Sequence, residues 1–389
     1  MQRVLWIGAA VVLAALAAWG LWREFGPGSG SGTVHFGSVD EYVFIANESA
    51  PEIAVIDAKS DRLVGTRTLP FVPDQLLVSL AKLRLVVLNR AEHLVALVDL
   101  PSGAVEARFD LEIVPDLMVL SPDGRALAVA DTEAGKIALI NLVDETLFGI
   151  VEGLNAPSKM TFGSDGGALY VIDDSEAEIR RIDVATASLL APASLREAGA
   201  VPGEVNLSAL TRTPDGRMGL VTDALGGKGY VIDVRDWNVV RTISLGNAPS
   251  RAYGTADGQY LLVSNTGSRT ISVIASDRFD VVATLPGPGD ITSIATGFFE
   301  TLAYVISANE RRAVVIDLES LTVAGELALE GVPGQAVADA DGRKLYIPLG
   351  EVGELALIDV FNKRVGHLIT GIAVAPGAPA MSASNNYCH

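Results

Sequence analysis

Few residues in this 389-residue chain have the type and spacing that chemistry requires. The histidines are His35, His93, His367 and His389, and no two stand at a metal-binding spacing such as His-x-Glu-x-x-His. The chain closes on Cys388-His389. Covalent haem attachment uses Cys-x-x-Cys-His, and Asn385 stands where the first of those cysteines would be, so one thioether at most could form there. Cys388 is the single cysteine, which excludes an internal disulfide framework. There is no Gly-x-Ser-x-Gly elbow, no phosphate loop and no Cys–His pairing away from the tail. The reading therefore leans away from an enzyme, and a hydrolase or lactonase here would need a dispersed carboxylate site with a metal. Charged side chains remain. Lys159 and Arg251 could hold an anion. Glu48, Glu92, Glu133, Asp174, Glu176 and Glu178 could steer a basic partner.

What positions these residues is a repeat. The stretch Tyr260 to Ser276 reads as two short strands, Tyr260–Asn265 and Thr270–Ala275, around the turn Thr266-Gly267-Ser268. The residue closing the second strand recurs as Asp57, Asp99, Asn141, Asp183, Asp233, Ala275, Asp317 and Asp359. Its spacings are 42, 42, 42, 50, 42, 42 and 42 residues. A period of that length built only of short strands means propeller blades of four strands each. The third copy shows all four: Asp116–Leu120, Ala126–Ala130, Ile137–Asn141 and Thr146–Ile150. Asp-Gly turns recur at Asp123, Asp165, Asp215, Asp257 and Asp341, where glycine supplies the positive φ of a tight hairpin.

The segment SNTGSRTISVIAS resembles the YVTN-type β-propeller repeat, and the resemblance runs from about Asp40 to Ser384. Members of that family usually have seven blades, so eight is a departure. The eight-bladed architecture is similar to the haem d domain of the dissimilatory haem nitrite reductases. That likeness implies a haem or other cofactor-binding redox or biosynthetic role as an alternative, and transfers no residue. No histidine clearly stands on an inner strand, where an axial ligand would be needed. No cofactor is expected, with haem as the alternative.

The first copy begins at its second strand, Glu41–Ala46, so Pro379–Ser384 at the other end of the chain should supply the missing inner strand and close the ring. Turns alternate between two faces. The Asp-Gly turns define a lower face, and the hairpins between second and third strands an upper one. Asn47, Asn89, Asp131, Asp173, Asp223 and Asn265 open the upper hairpins and read as side chains capping their own turns. His93 lies on one of these hairpins. The extra residues of the 50-residue spacing fall within Ala191–Val205 and bring Arg196, Glu197 and Glu204 to the upper face near the channel mouth, with Lys159 and Arg251 beginning inner strands nearby. Trp237, Phe279, Leu321 and Phe361 lie in or near turns of the lower face. They make either a contact patch for a membrane or partner, or rings folded back on their own blades.

Net charge is −18, and −19 once residues 1–32 are left out, which argues against nucleic acid as a partner. Val4 to Trp22 is free of charge, follows Arg3 and ends in Trp19 and Trp22, which suits a membrane span. A signal peptide cleaved near Ala15-x-Ala17 is the alternative, leaving a soluble periplasmic protein. The expected fold is all-β: an eight-bladed β-propeller closed by the C-terminal strand and preceded by one N-terminal transmembrane helix. Residues 1–25 would be anchor or signal segment, 26–39 a Gly/Ser-rich linker and 40–389 the propeller. The expected function is an accessory or interaction subunit on the periplasmic face of the inner membrane, its N-terminus cytoplasmic. Its partner would be a periplasmic or membrane protein such as a basic cytochrome.

Overall fold

The computed structural model describes residues 41–381, apart from 80, 82–83, 101, 298 and 373–375. The segment Val4–Trp22, the linker, His35, Cys388 and His389 lie outside the described residues. Among the described residues, no helix is long and apolar enough to cross a membrane.

Eight antiparallel sheets form eight blades. Seven have four strands. The eighth has five, because its inner strand is in two pieces, Val332–Pro333 and Val337–Ala338. The best repeat copy has the expected bounds: Tyr260–Asn265 and Thr270–Ala275 pair from Tyr260↔Ala275 to Asn265↔Thr270. These middle strands are apolar almost throughout because neighbouring blades cover both of their faces. The outer strands alternate instead, as Arg62–Thr68 and Thr322–Ala328 do, because only one face meets a neighbour.

Burial follows the blades. Eight hydrophobic clusters lie one at each junction between consecutive blades. The junction between the last blade and the first is as dry as the others: Val43, Ile45 and Ile56 of blade one pack with Tyr346, Leu355 and Met381. The ring is closed.

Closure uses the C-terminal strand, with different bounds from those expected. Pro376–Ala380 pairs with Tyr42–Asn47 through Phe44↔Ala380, Ile45↔Pro379 and Asn47↔Pro376, so the strand begins three residues before the expected Pro379; Ser382 to Ser384 lie outside the described residues. The repeat explains the shift. Ser293, Gln335 and Gly377 are 42 residues apart, so the strand starts where the period puts it.

Each outer strand carries a register shift against the third strand of its blade, between Val55 and Ile56 in blade one and between Val273 and Ile274 in blade six, for instance. A bulge bends the strand and increases its twist, which spoils the exposed edge as a template for another strand.

Candidate functional site

The upper face is built by buried side chains that tie two loops at once. Asn89 accepts from the Glu92 N–H at 2.6 Å, as a turn cap should, but its Nδ2 also donates to the Val72 carbonyl at 2.7 Å. Asp131 does the same, accepting from Ala134 N–H at 2.8 Å and Val114 N–H at 2.9 Å. The second partner in each case belongs to the connection that leads into an inner strand. These residues therefore fix the channel mouth as well as their own hairpins.

Lys159 and Arg251 both lie at this mouth. They occupy one repeat position, which elsewhere carries Gln75, Leu117, Ala209, Ser293, Gln335 and Gly377. Lys159 donates to Asp174 at 2.6 Å and to Asn206 at 3.0 Å. Arg251 reaches across the inner strands of two preceding blades, donating to Thr161 at 3.1 Å, to Thr211 at 3.4 Å and to the Leu210 carbonyl at 3.4 Å. Arg251 thus reaches, across blade five, the inner strand that follows Lys159, and Lys159 is already neutralised by a carboxylate.

The insertion folds over the upper hairpin of blade four. Arg196–Ala198 is one 3-10 turn. The Arg196 guanidinium bonds the Glu176 carboxylate and, through Nε, the Glu176 carbonyl at 2.9 Å. Leu195, Ala200 and Leu207 are buried beneath it with Ile179 and Tyr230. Gly203 N–H donates to the Asp174 carbonyl at 3.0 Å, and Lys228 to the Gly199 carbonyl at 3.1 Å. Glu197 and Glu204 stay exposed. So does an apolar pair, Val201 at 49% and Leu225 at 69% exposure, from the insertion and the adjoining blade-five hairpin. His93 is exposed with φ 54°; its backbone closes its hairpin and accepts from Leu111 N–H at 2.7 Å. The expected acidic collar is partly spent internally: Asp174 pairs with Lys159, Glu176 and Glu178 with Arg196, and Glu92 with Arg108.

On the lower face the four apolar turn residues separate. Trp237, Phe279 and Leu321 share one repeat position and a left-handed backbone, with φ of 56°, 55° and 53°. None folds back on its own blade alone; each reaches the preceding one. Trp237 packs on Tyr170 with centroids 4.6 Å apart and lies 4.5 Å from the Arg181 guanidinium. Phe279 is buried against Leu220 and Val231, and Leu321 packs with Leu262. The same position in the first blade holds Asp61, which bonds Lys344 and Tyr346 of the eighth. In the third it holds Glu145, paired with Arg84 of the second at 2.6 Å. This column staples blade to blade. Phe361 stands two residues earlier in its own turn and is 60% exposed. The patch expected from four residues is therefore reduced to one of them.

The described histidines do not fit an imidazole-ligated haem. His93 is on an upper hairpin between two middle strands and His367 on an outer strand, its Nε2 3.0 Å from the Asp61 carbonyl. Among the described residues no three His, Cys, Asp or Glu side chains come together to hold a metal ion.

Fold and geometry define an eight-bladed β-propeller. It is similar to the solved structure of the dihydro-heme d1 dehydrogenase NirN in complex with DHE, with a TM-score of 0.75 and 15% identity over 92% of this chain and 78% of that one. It is also similar to hydrazine synthase of Kuenenia stuttgartiensis, with a TM-score of 0.55 and 17% identity over 77% of this chain and 95% of that one. A functionally unknown protein from Desulfotomaculum acetoxidans matches with a TM-score of 0.57 and 13% identity over 76% and 98% of the two chains. At these identities the likeness is one of fold. No protein-family model matches the chain, and no curated protein is similar to it in sequence.

Proposed function

We propose that this chain is an accessory propeller, held at the periplasmic face of the inner membrane by Val4 to Trp22, that docks a basic periplasmic or membrane protein through its upper face. The observation that carries the reading is the insertion. Leu195 and Leu207 buried beneath it and the Arg196–Glu176 pair anchor it, yet its Val201 and the adjoining hairpin's Leu225 are exposed, as are Glu197 and Glu204. An apolar centre within a charged rim is the anatomy of a protein interface. A surface this specific to one of eight blades serves no purpose in closing the ring.

Copurification from mild neutral detergent tests it. Val201→Arg with Leu225→Arg should remove the partner that the wild-type chain retains and leave the melting temperature unchanged. The charged rim predicts in addition an association rate that falls as salt rises. A partner retained by the double variant, or a salt-independent rate, would count against this face.

A second reading, a cofactor-binding propeller, is favoured by the pair Lys159 and Arg251 at the channel mouth and by the fold shared with NirN over 92% of this chain. A ligand carboxylate in the channel would take the place of Asp174 at Lys159 and add to the hydroxyl contacts of Arg251. An absorption spectrum of the purified protein separates the readings: a Soret band would favour this one.

A further inference from the structure

A cavity of about 550 Å³ opens on the lower face, where the inner ends of blades six, seven and eight meet. Four of the residues around it break the repeat. Tyr253 stands where other inner strands carry Leu77, Val119, Thr161, Thr211, Ala295 and Val337. Phe299 replaces the aspartate of the Asp-Gly turns, and Glu300 replaces the glycine. Asp339 replaces the Ser or Thr found at Ser79, Ser121, Thr213 and Thr255. Glu300 holds, with φ 62°, the left-handed backbone that glycine takes in five other blades, and Phe299 is left-handed as well, with φ 56°, where the aspartates of those turns are not. Every blade solves the same folding problem. Departures that work against stability and gather around one hollow are accounted for by what they face.

The chemistry of the hollow is aromatic and negative. Phe299 is 79% exposed, and the Tyr253 hydroxyl lies 3.1 Å from Thr296 Oγ1, which fixes its ring. Glu300, Asp339 and Asp341 stand against a single guanidinium, Arg343. Two of these carboxylates are tied to backbone. Glu300 accepts from Ala256 N–H at 2.9 Å, and Asp339 from Arg343 N–H at 2.7 Å and Lys344 N–H at 3.0 Å. They set a negative field without converging on a point, as a metal ion would require. A diffuse charge on an apolar body suits such a field and the aromatic faces together.

We infer that this cavity binds a small organic cation bearing an alkylammonium group. The volume is that of a small-molecule site. This site is independent of the upper-face interface.

Choline titrated into the full chain in neutral detergent, followed by calorimetry, tests the site against its uncharged isostere 3,3-dimethyl-1-butanol. The inference expects saturable choline binding, with the alcohol bound at least about tenfold more weakly. Phe299→Ala and Glu300→Gly should each weaken choline by about tenfold, and Glu300→Gly should do so with a melting temperature no lower than wild type. Equal binding of the neutral isostere, wild-type affinity in both variants, or no saturation below about 10 mM would each overturn it.

Discussion

The Tyr346 hydroxyl donates to Asp61 at 2.7 Å, across the seam where the eighth blade meets the first. Burial, and then this hydrogen bond, raise the tyrosine pKa well above its ordinary value, so the hydroxyl stays a donor at every working pH. The same hydroxyl lies 3.2 Å from the Ala58 carbonyl, and Lys344 grips both Asp61 oxygens at 2.8 Å. Tyr346→Phe keeps the ring packed and removes only the donor. It should lower stability by about 1–2 kcal/mol in urea unfolding. Asp61→Ala leaves both donors with only the Ala58 carbonyl and should cost more, about 2–4 kcal/mol.

Deleting residues 376–389 removes the inner strand of blade one. The partner strand, Tyr42–Asn47, loses its ladder, and the core contact of Ala380 goes with it. The truncated chain should unfold with a smaller denaturant slope and be cut by protease within blade one first. A slope and a cleavage pattern like those of the full chain would show that the ring is held by other means.

Two left-handed positions, Trp237 in the staple column and Glu300 at the glycine of the Asp-Gly turns, should respond with opposite signs. Trp237→Ala loses the stack on Tyr170 and the contact with Arg181, and should cost about 2 kcal/mol. Glu300→Gly relieves a strained backbone and should gain up to ~1 kcal/mol, less the bond from Ala256 N–H. Thermal melts of the two variants check both.

Acid should loosen the turns before the cores. The Arg235 side chain, and then its N–H, hold the Asp233 carboxyl at about 2. The Thr186 and Thr213 hydroxyls hold Asp183 and Asp215 below the ordinary range. The N–H of Ser320 does so for Asp317. A depressed carboxyl contributes stability that is present above its unfolded pKa, about 4, and lost as pH falls through the folded value. Melting temperature should therefore fall from about pH 4 towards pH 2. Asp339 has the opposite sign. Burial raises its pKa, so its share of stability is present at low pH and lost as pH rises. Asp339→Asn should stabilise the protein at pH 7 and change little at pH 3.

The period made the architecture legible. Every blade has the same strands and turns, and a residue that fails in one copy is outvoted by seven others. What crosses between blades was not legible. Nothing in the types of Trp237 or Phe279 announces a left-handed turn, since bulky residues disfavour it, and their partners Tyr170 and Leu220 lie 67 and 59 residues away. Phe361 resembled them in type and missed their column by two positions. Lys159 and Arg251 lie just ahead of the inner strands Met160–Phe162 and Tyr253–Gly254, but the carboxylate that neutralises Lys159 comes from an upper hairpin. The lower cavity did leave a trace, Glu300 standing where glycine recurs, visible only once the columns are aligned.

Because the first blade takes its innermost strand from residues 376–380, the ring cannot be completed while those residues are still being synthesised. Seven blades can assemble in order of emergence, but the first must wait with one flank bare. Any factor that guards this protein during synthesis has a single obvious place to hold, the bare edge of Tyr42–Asn47.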